Sequence, residues 1–165
     1  MTQTEDFLRL AFAGESQTNR KYLAYAARAE KEGYPQAARL FRAAADSETL
    51  HAHNYLRALM EIRSTKENLQ EAISVETHAF QNRIPEMIAA ARAEGNKEAE
   101  RLLRYTLESE RIHARLFKKL LDTLDSPGEP ISYYICGECG HTAENEPPKV
   151  CPVCGAGGQF YRKTE

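Results

Sequence analysis

Two short stretches of this chain carry the residue types that do metal chemistry, and they echo each other. Glu48-Thr49-Leu50-His51 and Glu110-Arg111-Ile112-His113 are both Glu-x-x-His. On a helix that spacing sets a carboxylate and an imidazole on one face, about one turn apart. Each pair falls on an apolar stripe: Phe41, Ala44, Tyr55 and Leu59 around the first, Leu103, Thr106, Phe117 and Leu121 around the second. Two further carboxylates sit in the same way. Glu15 lies on the stripe of Leu8, Phe12 and Tyr22, and Glu76 on that of Leu69, Ile73, Phe80 and Met87. One such pair alone is an ordinary solvated helix face. Four stripe carboxylates and two histidines are a different matter, because a buried carboxylate without a partner is very costly. A metal ion is the partner that suits all of them. One Glu from each of two helices, with Glu-x-x-His from each of two others, is the ligand set of a di-metal carboxylate bundle.

The elements that must position these residues follow from the chain's punctuation. The ligand pattern repeats at an offset of about sixty residues, so the helical part reads as two similar halves. The first helix is expected from Thr4, as N-cap, to Lys31, where Gly33-Tyr34-Pro35 stops it. The second is expected from Pro35 to about Arg63. Ser64-Thr65-Lys66-Glu67 has the form of a capping box and opens the third, in which Pro85 predicts a kink near Ile84. Gly95-Asn96 ends it, and the fourth runs from Lys97 to Leu124. The expected organisation is a helical domain over 1–125, a Pro- and Gly-rich linker at 126–130, and a small domain over 131–165.

All four cysteines fall in that last segment, as Cys136-Gly-Glu-Cys139-Gly and Cys151-Pro-Val-Cys154-Gly. Strands are expected at 131–135 and 159–162. So short a domain needs a staple in place of a large apolar core. Two Cys-x-x-Cys-Gly knuckles give four thiolates for one tetrahedral ion, zinc or iron, and the spacing does not choose between them. His53, His78 and His141 are read as non-ligands, with His141 exposed.

Composition excludes several classes. A formal net charge of -2 argues against nucleic-acid binding through bulk charge. No apolar run is long enough to span a bilayer, and the N-terminus lacks the basic and apolar regions of a signal peptide, so the expected location is the cytoplasm.

Ala11-Phe12-Ala13-Gly14-Glu15-Ser16-Gln17, both Glu-x-x-His pairs and the two Cys-x-x-Cys-Gly knuckles together resemble the rubrerythrin family, in its shorter form. The resemblance covers nearly the whole chain. It implies an all-α fold class, a ferritin-like four-helix bundle, followed by a small β-rich rubredoxin-like domain. It implies a di-iron centre at Glu15, Glu48, His51, Glu76, Glu110 and His113, and one iron at Cys136, Cys139, Cys151 and Cys154. The implied activity is reduction of hydrogen peroxide to water, with electrons from rubredoxin or an NAD(P)H-dependent reductase. Tyr22 matches a family tyrosine and is read as a hydrogen-bond donor to a ligand carboxylate. Four carboxylates balance two ferrous ions, and two irons supply the two electrons that peroxide cleavage needs.

The chain departs from the family at Ala79, where a further Glu is usual, and at Ile84, often Tyr. The missing Glu is associated with an exchange of ligands against the second-helix histidine, so His51 is expected to stay bound in both oxidation states. Two other functions compete with the peroxidase: a ferroxidase or iron-storage protein, and a non-enzymatic zinc-ribbon module.

Topology raises a last expectation. Parallel second and third helices need a crossover of roughly 25–30 Å, or about eight to ten extended residues. Only about three, near Ser64 to Lys66, remain between the predicted helices. Either the two helices form a hairpin, with Glu48 and Glu76 about 10 Å apart, or they run on nearly in line, roughly 40 Å apart, and two chains exchange halves. The short members of the family favour the exchange, giving a domain-swapped homodimer.

Overall fold

The structure, a computed structural model, describes residues 2–126 and 128–164. Met1, Pro127 and Glu165, which belong to the predicted helical domain, linker and small domain, lie outside the described residues. The chain is mainly helical, with a three-stranded sheet near its C-terminus, as the sequence indicates. The helices are α1 (Gln3–Lys31), α2 (Pro35–Ala58), α3 (Thr65–His78), α4 (Ile84–Ala93) and α5 (Lys97–Asp122).

Caps explain the boundaries. α1 starts two residues earlier than expected, on Thr2, whose hydroxyl accepts from the Glu5 N–H while the Glu5 carboxylate accepts from the Thr2 N–H. Thr4 cannot close such a box, because the residue three positions on is Phe7. α1 ends as predicted: Gly33 takes φ 82, and the Gly33 and Tyr34 N–H groups reach back to Glu30 and Ala29. α2 ends five residues earlier than expected. Met60 adopts φ 56, and the Met60 and Glu61 N–H groups close on Arg57 and Leu56. This is the same terminating motif without its usual glycine, so the sequence carries no sign of it. α3 opens on the Ser64–Glu67 capping box, as predicted. The kink expected near Ile84 takes the form of a wide π turn over Ala79–Arg83, closed by the Ile84 N–H on the Ala79 carbonyl. Pro85 cannot tolerate a tight turn before it, and the π turn makes room. α5 is capped by the Asn96 side chain and ends at Asp122.

The chain divides into two compact units, one ending at Arg63 and the other beginning at Ser64. In the first, α1 packs on α2, and among the described residues the buried apolar ones are all alanines: Ala26, Ala29, Ala38, Ala45 and Ala52. In the second, α3 and α4 pack on α5, with Ala79, Ile84 and Ile88 against Leu103 and Leu107. The second unit also holds an antiparallel sheet in the order β2-β1-β3, made of β1 (Tyr133–Cys136), β2 (Thr142–Glu144) and β3 (Tyr161–Lys163). β1 and β3 are shifted by one or two residues from the expected strands, and Gly158–Phe160 forms a 3-10 turn. β2 is new. Three residues carry no legible alternation, and the strand exists because Thr142 to Glu144 pair with Ile135 to Tyr133. Among the described residues, no helix is long and apolar enough to cross a membrane.

Candidate metal centres

The structure gathers the six bundle residues into two groups of three. In the first unit α1 supplies Glu15 and α2 supplies Glu48 and His51, with one donor atom from each lying within 4.8 Å of the others. His51 Nδ1 stands 3.0 Å from Glu48 Oε2, one helical turn back. The register of α1 on α2 is fixed nearby by Asn19. Its amide donates to the Ala45 carbonyl at 2.7 Å and to Thr49 Oγ1 at 2.8 Å. The second unit repeats the arrangement with Glu76 from α3 and Glu110 and His113 from α5, again within 4.8 Å. His113 Nδ1 lies 3.0 Å from Glu110 Oε2 and 3.7 Å from Glu76 Oε1. Both histidines thus turn the same nitrogen toward carboxylate oxygen.

The second group shows the electrostatic cost of such crowding. Burial raises the Glu76 carboxyl, and a shared hydrogen bond and like charge on Glu110 raise it further, to about 7, against the pull of Arg83. Two carboxylates this close hold a proton when no other cation is supplied. A divalent ion relieves the repulsion and takes the proton's place.

The four cysteines converge as the knuckles require. Cys136 and Cys154 sulfurs are 3.7 Å apart, and those of Cys139 and Cys151 are 3.6 Å apart. A tetrahedral ion with metal–sulfur bonds of about 2.3 Å has edges of ~3.8 Å, so the cluster already has the required size. Gly140 and Gly155, at φ 80 and 79, turn the knuckles. Burial alone would raise the Cys151 thiol. Hydrogen bonds from the Tyr161 hydroxyl and the Cys154 and Val153 backbones outweigh it and bring the thiol down to about 6. Cys139 is pushed well up by burial.

Tyr22, the remaining predicted site residue, packs its ring against Phe41 and Tyr25, at centroid distances of 5.9 and 6.4 Å. His53 and His78 are not buried in the core. His141 is buried, not exposed as the sequence suggested: its ring lies against the sheet, where Nδ1 meets the Tyr161 hydroxyl at 2.7 Å. Four polar residues near the metal groups escaped the sequence reading. Asn19 left one sign, an amide one turn from Glu15. Tyr161, Ser109 and Thr142 left none, because their partners are distant in sequence. The Ser109 hydroxyl donates to the Cys139 carbonyl at 3.0 Å, and Thr142 Oγ1 lies 3.1 Å from His113 Nε2.

Comparison with known proteins agrees with this geometry. The family model described as Rubrerythrin matches residues 6–121, and that described as the rubredoxin-like domain of rubrerythrin matches 134–162. Rubrerythrin-2 of Clostridium acetobutylicum is 40% identical, over 92% of this chain and 91% of that protein. Rubrerythrin of Porphyromonas gingivalis is 33% identical, over 93% and 86%. Among solved structures, fully reduced nigerythrin superposes with a TM-score of 0.60 at 26% identity, covering 99% of this chain and 88% of that one. A helical region with paired Glu–Glu–His groups, followed by a Cys₄ β domain, defines a class of ferritin-like metalloproteins with an appended rubredoxin-like module. The chain belongs to the rubrerythrin family.

Proposed function

We propose that this chain is a cytoplasmic non-haem di-iron peroxidase that reduces hydrogen peroxide to water. The observation that carries the reading is the presence, in one chain, of two matched Glu–Glu–His groups and a cluster of four cysteines. The relatives named above support it, and the nigerythrin compared above is in an all-ferrous state. Glu15, Glu48, His51, Glu76, Glu110 and His113 would hold two irons, and Cys136, Cys139, Cys151 and Cys154 a third. A two-metal centre supplies Lewis acidity and a template for an oxygen substrate, and its two irons supply the two electrons. Four glutamates neutralise two ferrous ions, which removes most of the penalty for burying that charge. Tyr22 would donate a hydrogen bond to a ligand carboxylate supplied by the second half of the bundle. Residues 131–165 form the electron-entry domain, joined by the 126–130 linker to the helical domain at 1–125. The donor is rubredoxin or an NAD(P)H-dependent reductase.

The working form is a homodimer that exchanges halves. Each unit offers one group of three ligands, and the first unit has little core of its own. Phe7, Leu10, Leu40 and Leu50 are 57 to 70% exposed on it. Two helices cannot enclose such residues, whereas a four-helix bundle can. Each centre then takes Glu15, Glu48 and His51 from one chain and Glu76, Glu110 and His113 from the other.

The test is redox colour. Iron in four thiolates is red when oxidised and bleached when reduced, and zinc there is colourless. Anaerobically reduced protein, with three ferrous ions per chain, should consume about 1.5 equivalents of peroxide at two electrons each, and the red colour should return in full. A colourless protein would favour the zinc-ribbon reading. Slow peroxide turnover with accumulating ferric mineral would favour iron storage.

A further inference from the structure

We infer that Thr142 is a positioning residue for His113, and that through it the small β domain shapes one of the two ligand groups. This rests on the reading of Glu76, Glu110 and His113 as metal ligands. The two halves of the helical region correspond ligand for ligand, but their surroundings differ. The His51 side chain is 47% exposed and that of His113 is 31%. β2 stands against His113. His113 Nε2 stands 3.1 Å from Thr142 Oγ1, and Thr142 is buried.

The ring chemistry gives this contact a direction. Nδ1 is the nitrogen aimed at Glu110 and Glu76. When Nδ1 gives its lone pair to a cation, the neutral ring must carry its proton on Nε2. Thr142 Oγ1 is the acceptor that proton meets. A ligand histidine fixed in this way has one tautomer and one ring plane, which raises its affinity for metal.

Ser109 supports the same contact from α5, one turn before His113. It is buried, and its hydroxyl holds the carbonyl of Cys139 in the first knuckle at 3.0 Å. Thr142 follows Cys139 by three residues, so the two hydrogen bonds fasten the knuckle and β2 along the face of α5 that carries Glu110 and His113. Ser47 holds the corresponding place before His51 and is exposed. The β domain therefore positions His113 and leaves His51 without an equivalent.

The experiment uses the full chain with Thr142→Val and Thr142→Ser. Co(II) titration reads the affinity of the helical site, and the thiolate-to-Co(II) absorption band reads the Cys₄ site separately. The valine variant should weaken Co(II) binding in the helical region by about 10- to 100-fold, with the thiolate band unchanged, and serine should restore it. In Zn(II)-loaded wild-type protein, the His113 Nε2 proton should be visible by ¹H–¹⁵N correlation and protected from exchange, and valine should abolish that protection. Wild-type affinity in the valine variant, or equal weakening by serine, would overturn the proposal. So would an unprotected Nε2 proton in the wild type, whatever the variants do. A wild-type protein that binds Co(II) only at its thiolates would instead defeat the metal reading itself.

Discussion

Glu110 Oε2 and His113 Nδ1 stand 3.0 Å apart on α5, and Glu48 and His51 hold the same distance on α2. In each pair the carboxylate oxygen and the imidazole nitrogen converge on one side of the helix. Replacing Glu110 with Ala removes a donor from a group of only three. We expect this variant to lose bundle metal while keeping the Cys₄ ion, as measured by metal content per chain. Retention of both bundle metals and full peroxidase activity would refute the assignment.

Half-exchange makes a complementation prediction. One chain carries Glu15→Ala and Glu48→Ala, and the other Glu76→Ala and Glu110→Ala. Neither should hold bundle metal alone. Unfolded and refolded together, the mixture should contain heterodimers with one intact site and one doubly damaged site. In the hairpin alternative every site keeps one damaged half and none recovers. Metal counts on the isolated heterodimer decide between them.

Glu76 sets a pH dependence. An ordinary carboxyl ionises near 4.5, whereas folded, metal-free Glu76 keeps its proton to about pH 7. Between those values the unfolded chain has lost a proton that the folded chain retains. Rising pH therefore destabilises the metal-free fold across this window. Metal must displace the same proton, so its apparent affinity should rise with pH up to about 7. Calorimetry in buffers of different ionisation enthalpy should show more proton release at pH 6 than at pH 8. Equal release at both would rule out this role for Glu76.

Ala79 stands where relatives are expected to carry an exchangeable Glu, but it is 1% exposed and packs with Ile84 and Ile88. Ala79→Glu should destabilise the metal-free protein by about 1–3 kcal/mol, the cost of an unpaired buried polar group. If a carboxylate at 79 can reach metal, bound iron should recover that loss and His51 should become displaceable on oxidation. Thermal denaturation with and without metal measures the first effect. A loss that metal does not reduce would show that position 79 faces only the apolar cluster.

Met60 carries a local strain at the end of α2. A left-handed conformation costs a non-glycine residue roughly 1–2 kcal/mol, and Met60 is 81% exposed with little packing to lose. Met60→Gly should stabilise the chain by about 0.5–1 kcal/mol after the entropy of the unfolded glycine is counted. Denaturant midpoints provide the measurement, and a lower midpoint would contradict it.

The legible parts of the sequence were those written locally. Gly33 and Gly95 announced their helix ends, Ser64 and Glu67 a helix start, and the Glu-x-x-His and Cys-x-x-Cys spacings the chemical groups. The illegible parts depended on partners far along the chain. α2 ends on Met60, a residue that gives no signal for a left-handed turn. β2 is a strand because of what β1 offers it. His141, just before β2, is buried where the ring of Tyr161 in β3 meets it edge-on. Ser109 and Thr142 are ordinary polar residues until α5 and the first knuckle are brought together.

The all-alanine interior of the α1–α2 hairpin bears on how the protein is made. On a ribosome this hairpin emerges before α3, α4 and α5, and N-terminal parts ordinarily fold before the rest is translated. Alanines bury too little apolar surface to offset the entropy of ordering two long helices. The emerging half is therefore expected to stay loosely packed until complementary helices arrive. Under the proposed exchange of halves, maturation should be second order, faster where nascent chains are crowded on one message than where they are sparse.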